Sequence, residues 1–361
     1  MVVGGDIDDD LTLARALLSA ALFAVGDSAP GVEWATTVLR TEIGVVIALT
    51  STEGRGWLPP GLFLPTEVLI PWQWDSLLST DDRQDMATLE GDADPARILA
   101  EFGRYVCRDL PGELSAVASS ATVGDDVRAM LGDRVAVAER VAAEESSVDL
   151  SRPGAGLVDR LDMAGSPAAQ QRAAEVLDSE IRAICLQLTQ TGDDLVRKAV
   201  PGSDPEVLAQ RARRHQAMEY LRNGGNGAIG VRSVLGKERH TSDAVGASVF
   251  APVGAPPGTS IPERARDSVT LASSGAHIER ARALERRADE LVSLLTTGRA
   301  DRQLLREILY TFDQVSEHPQ LRAMTQALDM AAASKTAAGI RPAEYTSVPE
   351  SPRLHSEQRS F

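Results

Sequence analysis

The chain has 361 residues, 43% hydrophobic and 25% charged, which leaves enough apolar surface for a sizeable core and excludes wholesale disorder. Its 52 Asp and Glu against 37 Lys and Arg give a net charge of −15, which argues against nucleic acid as a partner, because a phosphate backbone is repelled without a strong basic patch. At about 100–200 residues per domain the length predicts two or three domains. The acidity is uneven: residues 1–150 hold 26 acids and 10 Arg, whereas residues 151–361 hold 26 acids and 27 bases. That imbalance is either a solvated surface that aids solubility or a face that docks a basic partner or the Arg-rich second half.

Leu11, Ala14, Leu18, Ala21, Leu22 and Val25 recur at helical spacing behind an acidic first turn that suits the helix dipole, which predicts a helix over residues 9–25 ended by Gly26. Residues 32–40 alternate with period two and Ile43 to Thr50 is a β-branched apolar run, so a hairpin should turn near Thr41 and Glu42. From Trp57 to Trp74, Pro59, Pro60, Pro65 and Pro71 forbid a regular helix and predict an irregular, rigid connection. Asp94 then caps a helix over residues 95–108 whose face carries Ile98, Leu99, Phe102 and Val106, covering the hairpin and closing an α+β unit by residue 110.

The same Pro-led start signal follows twice. Ser166-Pro167 precedes one helix carrying Leu177, Ile181, Ile184 and Leu188, and Asp204-Pro205 precedes another that runs to about Arg222. Residues 223–268 are rich in Gly, Pro and Ser and read as a loop or linker, with short β-like pieces at Val231–Leu235 and Ala247–Val253. Helical periodicity returns in three pieces: Leu284, Ala288, Leu291 and Leu295, then Leu304, Leu305, Ile308 and Phe312, then Leu321, Met324 and Leu328, with breaks at Gly298 and Pro319. The fold class predicted is α+β: an N-terminal helix plus a β-hairpin or small sheet covered by a helix, followed by a mainly α-helical second half. Its divisions are 1–110 (α+β, with the Trp/Pro segment), 111–222 (helical), 223–272 (linker), 273–338 (helical hairpin or bundle) and 339–361 (a tail expected to be mobile).

Several chemistries lack their sequence signal. Gly225-Asn226-Gly227-Ala228-Ile229-Gly230 matches a dinucleotide fingerprint, but it follows a helix and precedes a strand-like run, the reverse of what a phosphate site needs. Gly230 to Lys237 has one residue too many for a P-loop, and Glu238 stands where a magnesium-binding hydroxyl belongs. His215, His240, His277, His318 and His355 form no pair at ligand spacing, and Cys107 and Cys185 on apolar helix faces read as buried free thiols, so no metal and no cofactor are expected. Gly246 to Phe250 lacks the closing Gly of a nucleophile elbow. An active site assembled from dispersed residues is still open to Arg232, His240 and Ser248, with loop 223–262 as its lid. The apolar run Ala16–Val25 is far shorter than the roughly 20 residues that span a bilayer, and it follows acids where an export signal carries bases. No membrane span and no Sec-type signal are therefore expected; the address expected is cytoplasmic, with type VII export still open.

All four tryptophans, Trp34, Trp57, Trp72 and Trp74, lie within 41 residues. They either fill the core under a small sheet or, through Trp57, Trp72 and Trp74, line a groove for a peptide or apolar ligand. The stretch EGRGWLPPGLFLPTEVLIPWQW, residues 53–74, resembles a domain of unknown function that recurs in actinobacterial, notably mycobacterial, proteins encoded near type VII (ESX) secretion and toxin genes. The resemblance covers about residues 30–108, and residues 274–335 resemble more weakly a helical domain of the same proteins. It implies a genomic neighbourhood and carries over no site residue. The function expected is that of a non-catalytic interaction or accessory protein with a protein partner; an enzyme and a small-ligand or peptide binder are the alternatives.

Overall fold

The computed structural model describes residues 7–223 and 281–318, apart from 27–28, 30, 55, 72–77, 90–93, 147, 201 and 203, together with residue 321. Trp72, Trp74, Arg232, His240, Ser248, the loop 223–262 beyond its first residue and the tail 339–361 lie outside them. The chain is α+β. Helix α1 (Ile7–Val25) leads into the hairpin of β1 (Trp34–Thr41) and β2 (Gly44–Ser51), which turns at Glu42 and Ile43, one residue beyond the Thr41 and Glu42 expected, because Thr41 still pairs with Gly44. Two short strands, β3 (Phe63–Pro65) and β4 (Val68–Leu69), follow within the proline-rich segment, then helices α2 (Thr80–Thr88) and α3 (Pro95–Asp109) and strand β5 (Gly112–Ser119). After α4 (Asp125–Leu131) comes the edge strand β6 (Ala136–Ala138).

The main sheet has the order β4-β2-β1-β5-β6, with β1 antiparallel to both neighbours and the two edge strands parallel to theirs. Ala35, Leu39, Ala48 and Val117 form one core with Ile98, Leu99, Phe102 and Val106 of α3. Side chains alternate along a strand, so Arg40 lies on the opposite face, where Asp10 of α1 binds it through Nε at 2.5 Å and Nη2 at 2.9 Å. A bulge between Val38 and Leu39 leaves Ser115 as the extra residue of β5, and its hydroxyl donates to the same Asp10 at 2.5 Å. The sheet is thus a middle layer between α1 and α3. Burial works against the Asp10 charge, but the hydrogen bonds from Arg40 and Ser115 hold its carboxyl below the ordinary carboxylate range.

The expected closure at residue 110 is corrected by the strand pairing. β1 offers a free side once β2 is seated, and β5, which begins at Gly112, fills it along nearly the whole length. Residues 111–222 accordingly contribute sheet as well as helices. Strand β7 (Leu157–Asp159) pairs with β3 in a separate ribbon and runs directly into α5 (Arg160–Ala164). The single helix expected after Ser166-Pro167 is two: α6 (Pro167–Glu175) and α7 (Ile181–Ala199), joined by a short 3-10 turn. Arg302 reaches in from a later helix and donates to the carbonyls of Ala173 and Val176 at 2.9 and 2.7 Å, satisfying the orphan groups that end α6. Leu177, placed on the apolar face by periodicity, is instead extended and exposed.

Helix α8 (Pro205–Arg222) starts at the Asp204 cap. Residues 281–295 form α9, and α10 (Arg302–Ser316) follows the left-handed Gly298, as the periodicity predicts. Gly192 in α7 makes room for both: a Cβ there would meet Leu291 at 2.5 Å and Phe312 at 3.5 Å.

Gly56 and Gly61 bracket the start of the proline-rich segment, both at positive φ, +64° and +81°. A Cβ on Gly56 would fall 1.6 Å from Ile70 Cγ2, whereas one on Gly61 would meet open space. Gly61→Ala should therefore cost about 1–2 kcal/mol for the backbone alone. Gly56→Ala should cost roughly 2–5 kcal/mol, because overpacking adds to the same strain. Urea midpoints that fall in that order, with unchanged slopes, check both.

Candidate functional site

Over residues 57–71 the proline-rich segment is mostly buried, and its first part is held from below by charge. Gly54 and Gly56 turn the chain so that the Trp57 N–H donates to the Gly54 carbonyl at 2.9 Å and the indole points inward. Trp57 is only 7% exposed. Trp34 packs against it with ring centroids 6.3 Å apart, the Arg287 guanidinium lies 4.3 Å from its ring centre, and its Nε1 donates to Glu290 Oε2 at 2.9 Å. An indole engaged on these sides offers no open face to a ligand. Of the three tryptophans proposed for a groove, the structure describes only Trp57, and places it in the interior.

Arg160 is the centre of this region. It is 1% exposed, and all five of its N–H groups are engaged: Nε with Glu307 Oε2, Nη1 with the Leu58 carbonyl and Glu290 Oε1, and Nη2 with the Glu307 carbonyl and Thr311 Oγ1. Its plane also stacks 4.6 Å from the ring centre of Tyr310. The Tyr310 hydroxyl accepts from the Leu58 N–H at 2.9 Å, so the Leu58 peptide is gripped at both ends. Glu290 is equally committed: Oε1 accepts from Arg160 and Thr311, and Oε2 from Trp57 and Arg287. Arg287 in turn pairs with Glu53, which Arg286 also reaches at 2.8 Å. Three carboxylates, Glu53, Glu290 and Glu307, thus face three guanidiniums.

A second buried cluster ties α9 to α7 and α8. Arg214, with no exposed surface, donates from Nε to Asp193 at 2.7 Å, from Nη1 to Asp289 at 2.8 Å and from Nη2 to Glu285 at 2.6 Å. Arg211 reaches Glu285 and the Val200 carbonyl, and Gln210 reaches Asp289.

The electrostatics separate the two clusters. Burial works against the charge of Glu290, but Arg160 and Arg287 outweigh it and hold the carboxyl below its ordinary value of 4.5. For Asp289 burial prevails over Arg214, and its carboxyl is pushed up. Burial also pushes up the Tyr310 phenol, which stays protonated, and raises the Cys185 thiol to about 11. The Cys185 thiol and the Tyr310 phenol are thereby moved away from acting as nucleophile or base near neutral pH. Among the described residues no group of three or more His, Cys, Asp or Glu is arranged to hold a metal ion.

The residues of this network escape a reading by motif because they come from positions 53–58, 160, 286–290 and 307–311. One signal was available. Arg160 occupies the first turn of a helix, where the dipole disfavours a cation, and such a residue needs a carboxylate from elsewhere.

Removing one member of a buried pair strands the other. Glu290→Gln should therefore cost about 3–5 kcal/mol. Asp289→Asn should cost less, since burial already disfavours the Asp289 charge and Asp193 and Glu285 still face Arg214. The contribution of Glu290 is complete above its ordinary 4.5 and is lost as the pH falls through its lower folded value, so Glu290→Gln should also flatten the acid-side loss of stability. Denaturant titrations of the three proteins at neutral and acid pH read both effects. Comparison of the chain with protein-family models and with curated proteins finds no match.

Proposed function

We propose that the chain is a non-catalytic interaction or accessory protein connected with type VII secretion in actinobacteria. The observation that carries this reading is the saturation of Arg160 and Glu290. The polar groups gathered beneath the proline-rich segment are spent on fixing its backbone, with no donor or acceptor of these two left for a substrate. A segment pinned in this way supports a rigid platform, and rigidity lowers the entropic cost of docking a partner. The link to secretion rests on the likeness of residues 30–108 to domains encoded beside such systems. The partner is a protein rather than a nucleic acid, since the net charge of −15 repels phosphate. Among the described residues no helix is long and apolar enough to cross a membrane.

The test uses the whole chain as bait in an actinobacterial lysate, with captured proteins identified by mass spectrometry. Enrichment of a product encoded beside type VII secretion genes is the expected outcome. Turnover of a substrate by the purified chain, lost on Ser248→Ala or His240→Ala and with no partner enriched, would overturn the proposal in favour of an enzyme.

A further inference from the structure

Helix α8 grips the rest of the molecule by two different means. Its second half turns Arg214, Ala217, Met218 and Leu221 into the interior, whereas no residue of 205–213 is buried. That first half reaches inward through side-chain bonds instead: Arg211 to Glu285 and to the Val200 carbonyl at 2.8 Å, and Gln210 to Asp289. Arg214, at the centre, spends its guanidinium on three carboxylates, Asp193 of α7 and Glu285 and Asp289 of α9.

The three carboxylates are not equally served. Asp193 also meets Arg197 Nε at 3.2 Å, and Glu285 also accepts from Nε and Nη2 of Arg211, so each faces two guanidiniums. Asp289 shares Arg214 with both of them, and its second oxygen accepts from Gln210, a neutral donor. Glu285 stands one turn before it on the same helix and repels its charge. The other charges of α9 beside it turn elsewhere, Arg286 and Arg287 to Glu53 and Glu290 to Arg160, and on α7 Asp194 pairs with Arg197. Asp289 is thus the carboxylate of the cluster with least to gain from its charge, and burial raises its proton affinity. Its side chain keeps 30% exposure, so a proton from solvent reaches it without prior opening of the helix.

From this unequal sharing we infer that Asp289 is a proton-operated latch, and that protonation there tightens the first half of α8 against α9 as the pH falls. The charged carboxyl is tolerated less with the helix docked than in water, so docking and proton uptake favour each other. Protonated Asp289 keeps Gln210, whose amide both donates and accepts, while Arg214 retains Asp193 and Glu285. The effect grows as the pH falls through the raised value of Asp289. It is complete below its ordinary 3.8, where the carboxyl is protonated with the helix docked or released. Asp10, Asp159 and Glu290, held below their ordinary values, act in the opposite sense, so tightening on acidification singles out Asp289.

The test is hydrogen exchange of the full-length chain read by mass spectrometry, each rate being divided by its intrinsic value at that pH. Protection of the amides of residues 208–213 should rise at least about twofold between about pH 7 and about pH 4.5, while that of β1 and β5 does not rise. Asp289→Asn, which fixes a neutral group of the same shape, should show no such rise, whatever its starting protection. The carbon-13 resonance of the Asp289 carboxyl, identified by its absence from Asp289→Asn, should titrate above 3.8. A wild-type profile that stays flat or falls, an equal rise in Asp289→Asn, or a carboxyl that titrates at or below 3.8 overturns the inference. The wild-type exchange profile decides by itself if the variant does not fold.

Discussion

Arg160 sits where water does not reach, and the geometry around it follows from the cost of placing a guanidinium there. A desolvated cation is tolerable only when carboxylates neutralise it and acceptors meet its N–H groups, and that requirement brings together parts of the chain far apart in sequence. Leu58 comes from the proline-rich segment, Glu290 from α9, and Glu307, Tyr310 and Thr311 from α10. The ribbon of β3 and β7 delivers Arg160 to that meeting point, because β7 ends one residue before it. Asp159 secures the delivery, capping α5 with one carboxylate oxygen while Arg306 binds both.

The network also explains how residues 57–62, the start of the proline-rich segment, are held without regular secondary structure. Prolines cannot donate to a ladder, so a segment with Pro59, Pro60 and Pro65 must place its remaining peptide groups elsewhere. Leu58 gives its N–H to a tyrosine and its carbonyl to an arginine, and the Gly61 N–H turns toward Glu307. Side chains replace the missing backbone partners. The same side chains are thereby removed from any chemistry that requires a free donor or acceptor.

Two kinds of polar surface coexist in the molecule. Beneath the proline-rich segment charges are matched and buried, and they act as fasteners. At the turn between β1 and β2, by contrast, Glu42 is exposed beside Ile43 and its charge faces solvent. The acidity concentrated in residues 1–150 accordingly includes exposed acids such as Glu42 as well as buried ones such as Asp10 and Asp82.

Local physics was legible in the amino-acid order. The helix over α1, the hairpin with its turn to within one residue, the Asp94, Ser166 and Asp204 caps and the break at Gly298 follow from periodicity, proline and glycine, all of which act within a few residues. The tertiary structure decided what depends on distant partners. β5 joined the sheet beyond the expected boundary because β1 had an unpaired side, and α6 stopped short because Arg302, more than a hundred residues later, caps its carbonyls. Trp57 could have been core or contact surface on sequence grounds, since an indole suits both. Glu290 and Arg287 placed it inside, and a charge network of that span leaves no periodic trace because each member is a single residue on a different element.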